Sequence, residues 1–471
     1  MEVQEFTSET PRLAGTETEH GCQAEREFNG HMLVGHEISP FVYNYRDEDI
    51  AHAGYHLETG DRAYPDINGH FEFATAEEIS FRGVIEREFW GGQFVFRAMQ
   101  RAKEAGRIAD FKITKNVNNG IFYWGYHENY LTPRTENWQE QYVLPLAVHL
   151  ATRQVFAGAG DLRPDGTYLV SQKADSTRSL NHGEAHQELW RPLVDMRDEP
   201  HADADIYRRQ HITPVDPHLW KYPAWLQMAT TSVVMRLVEG GVDLSDLYLQ
   251  NPVAATHQVA KDVWLKQPLE MANTQKAYKA LEIQYLLALR SKQFAETHPL
   301  PEEEQIAIKE WLRVLEDLQR NPVACADRVE WIGKRDFLNA MRERRGVDMK
   351  HPHMVAAARN WTDLDPETGF GLRLQHKSAD IPYGDDLEDG SVPPADTRAH
   401  ARGRLIGAVM AWTRRSEDRP KHPIRGMGTD WSRATLDRSH SVKEGQHILM
   451  LDPYRSHYDH VEEVIDEMEA A

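Results

Sequence analysis

Two carboxylates at alternate positions stand near the start of the chain. Glu17 and Glu19 lie in the segment GTETEHG at residues 15–21. A β-strand places alternate side chains on one face, and magnesium binds a few carboxylates while keeping positions for phosphate oxygens. The spacing therefore indicates a divalent-cation site, although a solvated strand face is the more frequent origin of such a short pattern.

A second cluster, DRAYPDINGHFEFATAEE at residues 61–78, sets Asp66 and Glu72 among aromatic residues. A carboxylate that is partly removed from water becomes more basic, so Asp66 is a candidate general base. The alternative is an Asn-Gly hairpin turn in which Asp66 only binds the local backbone.

Histidines and arginines concentrate in two later segments. NGIFYWGYHENYL at residues 119–131 carries His127, Glu128 and Asn129. MRDEPHADADIYRRQHI at residues 196–212 carries Arg197, Arg208, Arg209 and His211 between several carboxylates. Arginine forks match phosphate oxygens, and a surface network of ion pairs would have the same composition.

Composition and absent motifs narrow the function. No phosphate-binding GxxxxGK[ST] loop, GxGxxG, HExxH or GxSxG occurs, so any bound phosphates require metal ions and arginines. The net charge of −20 disfavours nucleic acid as a partner. Two cysteines give neither a disulfide framework nor a zinc site, and no apolar run is long enough for a membrane span or signal peptide. We expect a soluble, globular, cytoplasmic enzyme.

Periodicity predicts mixed secondary structure. Helical spacing is found at residues 84–105, 144–156 and 224–239, the last as an amphipathic helix, and helical patterns dominate from residue 262 to residue 345. Strands are predicted at residues 109–113 and 167–172. The alternation indicates an α+β fold with helices on one side of a sheet.

In their order along the chain, these clusters resemble the family of Pup ligases and Pup deamidases (depupylases). The shared motifs are G-x-E-x-E-x-G at residues 15–21, R-x-Y-x-D-x5-E at residues 62–72, HENY at residues 127–130, RDEPHADA at residues 197–204 and YRR-x-H at residues 207–211. The resemblance covers nearly the whole chain.

The resemblance implies an α+β fold similar to the catalytic domain of glutamine synthetase and glutamate–cysteine ligase. This fold has a curved antiparallel sheet packed by helices, with a small C-terminal domain. The predicted domains are an extension at residues 1–12, a catalytic domain at 13–377, a loop or linker at 378–396 and a C-terminal domain at 397–471. The linker segment is rich in Asp, Gly and Pro.

Site residues follow from the same resemblance. It assigns Glu17, Tyr64 and Glu72 to one magnesium ion, and Glu19 and His127, with His211, to a second ion or the phosphates. Asp66 becomes the catalytic carboxylate, and Arg197 and Arg208 stabilise charge on the transferring phosphoryl group. Arg209, Asn116 and Ser171 are assigned to the nucleotide.

The implied reaction is ATP- and magnesium-dependent. The γ-phosphoryl group passes to the C-terminal glutamate side chain of a small, acidic, Pup-like modifier, and a lysine of a target protein attacks the acyl phosphate. Lysine has a pKa of about 10.4, so a base is needed, and Asp66 is the candidate. Such ligases belong to a ubiquitin-like pathway that directs proteins to the proteasome.

Two alternatives remain beside the ligase. A depupylase or deamidase of the same family carries a long extra loop before the catalytic aspartate, whereas the segment from Cys22 to Thr59 is short and ligase-like. A small-molecule glutamate–amine ligase is the other alternative.

Two segments depart from the family pattern. Residues 215–221, VDPHLWK, replace the usual G-D-x-N-x-x-E, and Lys115-Asn116-Val117 replaces the usual K-N-N. These departures bear on the geometry of the nucleotide or lysine site and on which modifier is used.

Basic residues concentrate near the C-terminus of an otherwise acidic chain. They are Arg398, Arg402, Arg404, Arg414, Arg415, Arg419, Lys421 and Arg425, with a second group from Lys334 to Lys350. With the apolar residues Leu405, Ile406 and Val409 they predict a docking groove for the acidic modifier. The alternative is that the arginines form internal ion pairs with the surplus carboxylates.

Overall fold

The computed structural model describes residues 6–25, 32–34, 37–44, 52–53, 55–66, 69–120, 122–183, 189–384, 390–416, 426–437 and 446–470. Internal contacts divide the chain into two units. Unit 1 comprises Met1–Arg12, Ile113–Asp198 and Gln210–Asp385, and unit 2 comprises Leu13–Lys112, Glu199–Arg209 and Asp386–Ala471. The last change of unit falls inside the predicted linker 378–396, and the predicted domain boundaries remain a prediction.

An antiparallel sheet forms the N-terminal part of unit 2. Its elements are β1 (Ala14–Glu25), β2 (Met32–Val34), α1 (Ser39–Asn44), β3 (His52–Ala53), β4 (His56–Leu57), β5 (Arg62–Pro65), β6 (Phe71–Ala74), α2 (Phe81–Glu104) and β7 (Asp110–Thr114). The strands pair in the order β1, β6, β5, β4, β3, and β2 and β7 also pair with β1.

Helix α2 covers one face of this sheet. The Ser80 hydroxyl accepts a hydrogen bond from the Gly83 backbone N–H and caps the start of the helix. Gly106, with a φ of 66°, follows its end. A Cβ at Gly91 would lie 2.3 Å from the ring of Phe73, so only glycine permits this approach of helix to strand. The opposite face of the sheet is left for the polar residues.

Unit 1 is mainly helical. Its elements are β8 (Tyr126–Pro133), α3 (Trp138–Thr152), α4 (Gln154–Ala157), β9 (Asp161–Leu162), β10 (Tyr168–Leu169), β11 (Ser179–His182), β12 (Pro192–Asp195), β13 (Tyr207–Ile212, of which Gln210–Ile212 belong to this unit), α5 (Lys221–Glu239), α6 (Pro252–Lys261), β14 (Pro268–Glu270), β15 (Ala277–Lys279), α7 (Ala280–Ala295), α8 (Glu302–Arg320), α9 (Glu330–Arg345), α10 (Pro352–Asn360) and α11 (Phe370–Arg373). Short 3-10 helices lie at Ala174–Ser176, Ser245–Leu247, Pro322–Cys325 and Gln375–Lys377.

The central helix of unit 1 is α5. The helix predicted at residues 224–239 is confirmed, but its amphipathic character is wrong, because every residue from Tyr222 to Val238 is buried. Helices α3, α7 and α8 pack against it. Its polar side chains are satisfied internally; Arg236, for example, binds the carboxylate of Glu304 at 3.0 Å.

The C-terminal part of unit 2 has its own apolar core. Its elements are α12 (Arg398–Ser416), β16 (Gly426–Asp430), β17 (Arg433–Asp437), β18 (Gln446–Leu449) and α13 (Asp459–Ala470). The three strands form an antiparallel sheet. Leu405, Ile406 and Val409 are each fully buried in this core, among residues of both helices and all three strands.

This core corrects the predicted docking groove. The apolar strip is unavailable to a modifier because it is core, and Arg398 and Arg402 are buried against Glu77 of the same unit. Arg404 pairs with Glu462, and the Lys334 amine donates to the Gly160 carbonyl inside unit 1. Arg419, Lys421 and Arg425, and the side chains of Arg414 and Arg415, lie outside the described part of the chain.

Helices combined with antiparallel sheet confirm the predicted α+β class. The helix predicted at residues 84–105 is α2, and the strand predicted at 109–113 is β7. The helix predicted at 144–156 is two helices, α3 and α4, which meet at Arg153, and the strand predicted at 167–172 shortens to β10. No helix in the described part of the chain is long and apolar enough to cross a membrane.

Candidate active site

A row of polar side chains crosses three adjacent strands of unit 2. Glu19 on β1 lies opposite Glu72 on β6, and Glu72 lies opposite Tyr64 on β5. Residues directly opposite each other in a sheet share a face, with Cβ atoms about 5 Å apart. Glu17 joins the same face because it stands two residues from Glu19. These four residues, predicted as metal ligands from the sequence, therefore lie together.

The negative charges of the carboxylates in this row repel one another. Burial, together with the negative charges of Glu17 and Glu19, raises the pKa of Glu72 well above its usual value. The Tyr64 hydroxyl hydrogen-bonds to Glu72, and the pKa of Tyr64 is raised by burial and by the negative charges of Glu72 and Glu17. Like charges directly opposite each other destabilise a sheet. A divalent cation removes this penalty, so the donor set fits magnesium.

Asp66 lies just beyond the end of β5, in a turn. Its carboxylate accepts a hydrogen bond of 2.6 Å from the His70 backbone N–H, and Gly69 in this turn has a φ of 83°. The local hydrogen-bonding alternative for Asp66 is thus present in the structure. It does not isolate Asp66 from the row, because the Asp66 carboxylate, the His70 Nδ1 and the Glu19 carboxylate all lie within 4.8 Å of one another.

His70 is a site residue that the sequence analysis missed. Its Nδ1 lies 3.4 Å from a Glu19 oxygen and 3.5 Å from an Asp66 oxygen. Burial by itself would lower the pKa of His70, but the hydrogen bond with Asp66 and the charge of Glu19 outweigh it and raise the pKa. The available signal in the sequence was the position of His70 between Asp66 and Glu72, next to a glycine that permits a turn.

Arg209, predicted to contact the nucleotide, lies against the acidic row. Its guanidinium is 3.4 Å from Glu17 and 3.3 Å from Glu199, all within unit 2. Arg208 is its neighbour on strand β13, so the two side chains point to opposite faces of the strand. The assignments of Arg208 to the transferring phosphoryl group and of Arg209 to the nucleotide therefore concern different faces of β13, and both remain predictions.

Unit 1 brings two predicted histidines together. The rings of His127 on β8 and His211 on β13 meet edge to face with centroids 4.7 Å apart. The Asp195 carboxylate at the end of β12 lies 3.2 Å from His211 Nδ1. Both His211 and Asp195 are buried. A pair of buried imidazoles beside a carboxylate suits a cation or phosphate oxygens.

Arg197, another arginine of the predicted site, lies two residues after Asp195 in the chain. The Arg197 backbone N–H donates to the other oxygen of Asp195 at 2.8 Å. Glu128, a candidate for chemistry in the sequence, is fully buried on the opposite face of β8 from His127 and binds Arg153 at 2.9 Å. Glu128 is therefore part of the core of unit 1.

Asn116 and Ser171 do not join the histidine pair. Asn116 binds Thr114 and Asn118 and lines a polar pocket together with Asp161, Gln172 and Lys334. Ser171 is buried, and its hydroxyl donates to Asp216 at 2.9 Å. Their assignment to the nucleotide remains a prediction that these contacts do not support.

The segment that departs from the family pattern, residues 215–221, is hydrogen-bonded to the buried carboxylate of Glu330. Glu330 accepts hydrogen bonds from the backbone N–H groups of Leu219 and Trp220, from His218 Nδ1 at 3.0 Å and from Trp361 Nε1 at 2.8 Å. Burial would raise the pKa of Glu330, but these donors, His218 first, lower it. The departure therefore lies in a satisfied core network.

Comparisons with known proteins agree over almost the full length. The family described as Pup-ligase protein matches residues 12–416. The Pup–protein ligase of Acidimicrobium ferrooxidans is 30% identical over 482 residues, covering 97% of this chain and 99% of that protein. The Pup–protein ligase of Mycobacterium bovis is 28% identical over 483 residues, with the same two coverages.

Solved structures agree on the fold. The complex between the prokaryotic ubiquitin-like protein Pup and its ligase PafA matches with a TM-score of 0.83 and 24% identity over 98% of this chain and 93% of that one. PafA in complex with ADP matches with a TM-score of 0.77 and 24% identity over 92% of each chain. From the family match and the full-length relatives, the chain belongs to the family of Pup-ligase proteins.

Proposed function

We propose that this chain is an ATP-dependent carboxylate–amine ligase that joins the C-terminal glutamate side chain of Pup to lysines of target proteins. The γ-phosphoryl group of ATP passes to the glutamate carboxylate and gives an acyl phosphate and ADP. The lysine amine then attacks the acyl carbon, phosphate leaves, and an isopeptide bond forms.

The names of the relatives support this assignment. The full-length relatives are Pup–protein ligases, and the solved neighbours are a ligase with Pup and the same ligase with ADP. The observation that carries the proposal is the row Glu19–Glu72–Tyr64 with Glu17 on one sheet face, because a phosphoryl-transfer enzyme without a glycine-rich loop needs such a cation site.

Magnesium is the cation that this donor set fits. Glu17, Tyr64 and Glu72 would hold one ion, and Glu19 adds a further carboxylate in the same row. When bound, magnesium neutralises phosphate charge and orients the γ-phosphoryl group. The protein contributes the fixed positions of the carboxylates, which the sheet sets through its register.

Asp66 is the proposed base for the second step. A lysine ammonium must lose a proton before it attacks, and a carboxylate within reach can accept it. His70 holds the Asp66 side chain through its backbone N–H and its ring. Arg197 and Arg208, with the histidines His127 and His211, are proposed to contact oxygens of the transferring phosphoryl group. Arg209, on the opposite face of β13 from Arg208, is proposed to contact another part of the nucleotide.

Reconstitution tests the function. The purified chain is incubated with ATP, magnesium, Pup ending in glutamate and a lysine-bearing protein, and conjugates are identified by mass spectrometry. We expect an isopeptide-linked product, one ADP per bond, and no product when ATP or magnesium is omitted.

A preformed conjugate serves as the second substrate in the same assay. Its cleavage, without any conjugation, would assign the chain to the depupylases. ATP-dependent condensation of free glutamate with small amines, with Pup ignored, would assign it to the small-molecule ligases.

A further inference from the structure

One buried carboxylate in unit 1 contacts two of the predicted site residues at once. Asp195 is 1% exposed and ends strand β12. One of its oxygens lies 3.2 Å from His211 Nδ1, and the other accepts the Arg197 backbone N–H at 2.8 Å. The sequence analysis did not single it out, because LVDM reads as the end of an ordinary buried strand.

We propose that Asp195 is a positioning residue that fixes the tautomer of His211 and the backbone of Arg197. The proposal rests on the proposed function, in which both residues contact phosphate oxygens. The Asp195 carboxylate contacts the ring of His211 and the main chain of Arg197. Asp195 therefore fixes the distance between these two residues.

The chemistry of the imidazole explains why the carboxylate matters. An acceptor opposite Nδ1 keeps the ring proton on Nδ1, and the lone pair then resides on Nε2, which can accept a proton or bind a cation. The same arrangement orients metal-binding histidines in many proteins. A protonated ring would keep the same bond and donate from both nitrogens, so the orientation is retained in either state.

The buried carboxylates of this unit have two kinds of partner. Glu330 resembles Asp195, because it faces the His218 ring and main-chain N–H groups in the core network described above, but the histidine that Asp195 faces is a predicted site residue. Other buried carboxylates face guanidinium groups. Glu128 pairs with Arg153, and Glu304 pairs with Arg236, each a carboxylate matched by a guanidinium that neutralises it. Asp195 instead faces a titratable ring and a main-chain N–H. Burial would raise the pKa of Asp195, but the hydrogen bond and charge of His211, followed by the Arg197 N–H, lower it.

The substitution Asp195→Asn separates positioning from packing because an amide has one accepting oxygen. The Arg197 N–H is a fixed main-chain donor and takes that oxygen, so the amide NH₂ faces His211 Nδ1. The ring must then accept at Nδ1 and carry its proton on Nε2. The shape of the side chain is unchanged, and the tautomer is reversed.

The test reads the tautomer directly. Wild type, Asp195→Asn and His211→Gln are labelled with ¹⁵N in histidine, and two-bond ¹H–¹⁵N spectra at a pH where the ring is neutral are compared. The signal missing from His211→Gln belongs to His211. We expect an Nδ1–H ring in wild type and an Nε2–H ring in Asp195→Asn. An Nε2–H ring in the wild-type protein overturns the proposal even if the variant does not fold.

Kinetics supply the second readout. We expect Asp195→Asn to lower kcat for conjugation by about 10²–10⁴-fold, as tautomer reversal does elsewhere, while the affinity for ADP measured by calorimetry changes less than threefold. The control Asp246→Asn alters an exposed ion pair with Arg290 in the same unit, and we expect it to behave as wild type.

The two proposals fail in distinguishable ways. Wild type that does not conjugate but has the expected Nδ1–H ring overturns the proposed function and leaves the tautomer result standing. A reversed tautomer with unchanged kcat in a conjugating enzyme overturns the positioning role alone.

Discussion

Two acidic regions of unit 2 contain glutamates only five residues apart in sequence, and their environments are opposite. In the acidic row, Glu72 lies opposite Glu19, and its pKa is raised by burial and by neighbouring carboxylates. In what we call the Glu77 clamp, Glu77 lies between Arg398 and Arg402, and these charges hold its pKa well below its usual range despite burial.

The difference indicates function. A buried carboxylate matched by guanidinium groups stabilises the fold, whereas carboxylates that face carboxylates store repulsion that a bound cation relieves. The clamp also reaches the backbone. Arg402 donates to the Gly60 and Trp431 carbonyls, and Arg398 donates to the His201 carbonyl. The clamp thus connects separate segments of unit 2, and the acidic row remains the site for chemistry.

The largest effect is expected for Glu72→Gln. Losing one carboxylate from the row should lower kcat/KM for conjugation by on the order of 10³-fold, because a catalytic cation supplies several kcal/mol and each 1.4 kcal/mol is tenfold. The same change removes repulsion, so the free energy of unfolding without metal should stay equal or rise. Steady-state kinetics and urea unfolding measure the two quantities.

Magnesium sharpens this prediction. Magnesium with ADP should raise the melting temperature of the wild-type protein through binding to the folded state, and this shift should be much smaller in Glu72→Gln. If Glu72→Gln loses stability and keeps its magnesium-dependent shift, the row is structural and the comparison with the clamp fails.

Asp66→Asn is expected to have the next largest effect. The amide keeps the turn hydrogen bond with the His70 N–H but cannot accept a proton, so conjugation should fall by about 10²–10⁴-fold. Calorimetry should show nearly unchanged affinity for magnesium–ADP. A conjugation rate close to wild type would place the base on another residue.

Glu77→Gln tests the clamp. Removing one partner of a buried ion pair leaves two guanidinium groups without their carboxylate, which costs about 3–5 kcal/mol of unfolding free energy. The carboxyl has a depressed pKa in the folded state, so its contribution is complete above about pH 5 and is lost as the pH falls. Urea unfolding at several pH values should show wild type approaching the variant in acid.

The outcome that contradicts this prediction is equally specific. If Glu77→Gln and wild type unfold at the same urea concentration near neutral pH, the clamp contributes no net stability. The contrast between a stabilising clamp and a repulsive acidic row would then fail.

Strand periodicity predicted much of the acidic row from the sequence. Glu17 and Glu19 stand at alternate positions of β1, and Tyr64 and Glu72 come from the next motif. The family resemblance supplied their roles as proposals. The sequence predicts which of these side chains share a face, because side-chain direction alternates along a strand.

Side-chain contacts between residues that are distant in sequence could not be predicted in this way. The sequence left Arg398 and Arg402 either in a docking groove or in internal ion pairs. The fold shows that they are in internal ion pairs, with Glu77, more than three hundred residues earlier, as their partner. Asp195 at the end of β12 meets His211 on β13, and Ser171 binds Asp216, although neither pair is close in sequence. Composition carries no information about such distant partners, so Leu405, Ile406 and Val409 were wrongly predicted to be a docking surface, and Asp195 was missed.

The smallest effect is expected at Arg404, two residues after Arg402. Arg404 pairs with Glu462, and its side chain is 41% exposed, whereas that of Arg402 is fully buried. Exposed ion pairs contribute about 0–1 kcal/mol, so Arg404→Ala should change the free energy of unfolding by less than about 1 kcal/mol, whereas Arg402→Ala should cost about 3–5 kcal/mol. Urea unfolding of the two variants, prepared side by side, measures this difference.

Equal losses of unfolding free energy in Arg404→Ala and Arg402→Ala would mean that position on α12, and not burial of the guanidinium beside Glu77, determines stability. An unchanged KM for Pup in Arg404→Ala is expected as well, since the apolar residues predicted to complete the groove, Leu405, Ile406 and Val409, belong to the core of unit 2. A severalfold rise in that KM would restore a docking role to the exposed side of this helix.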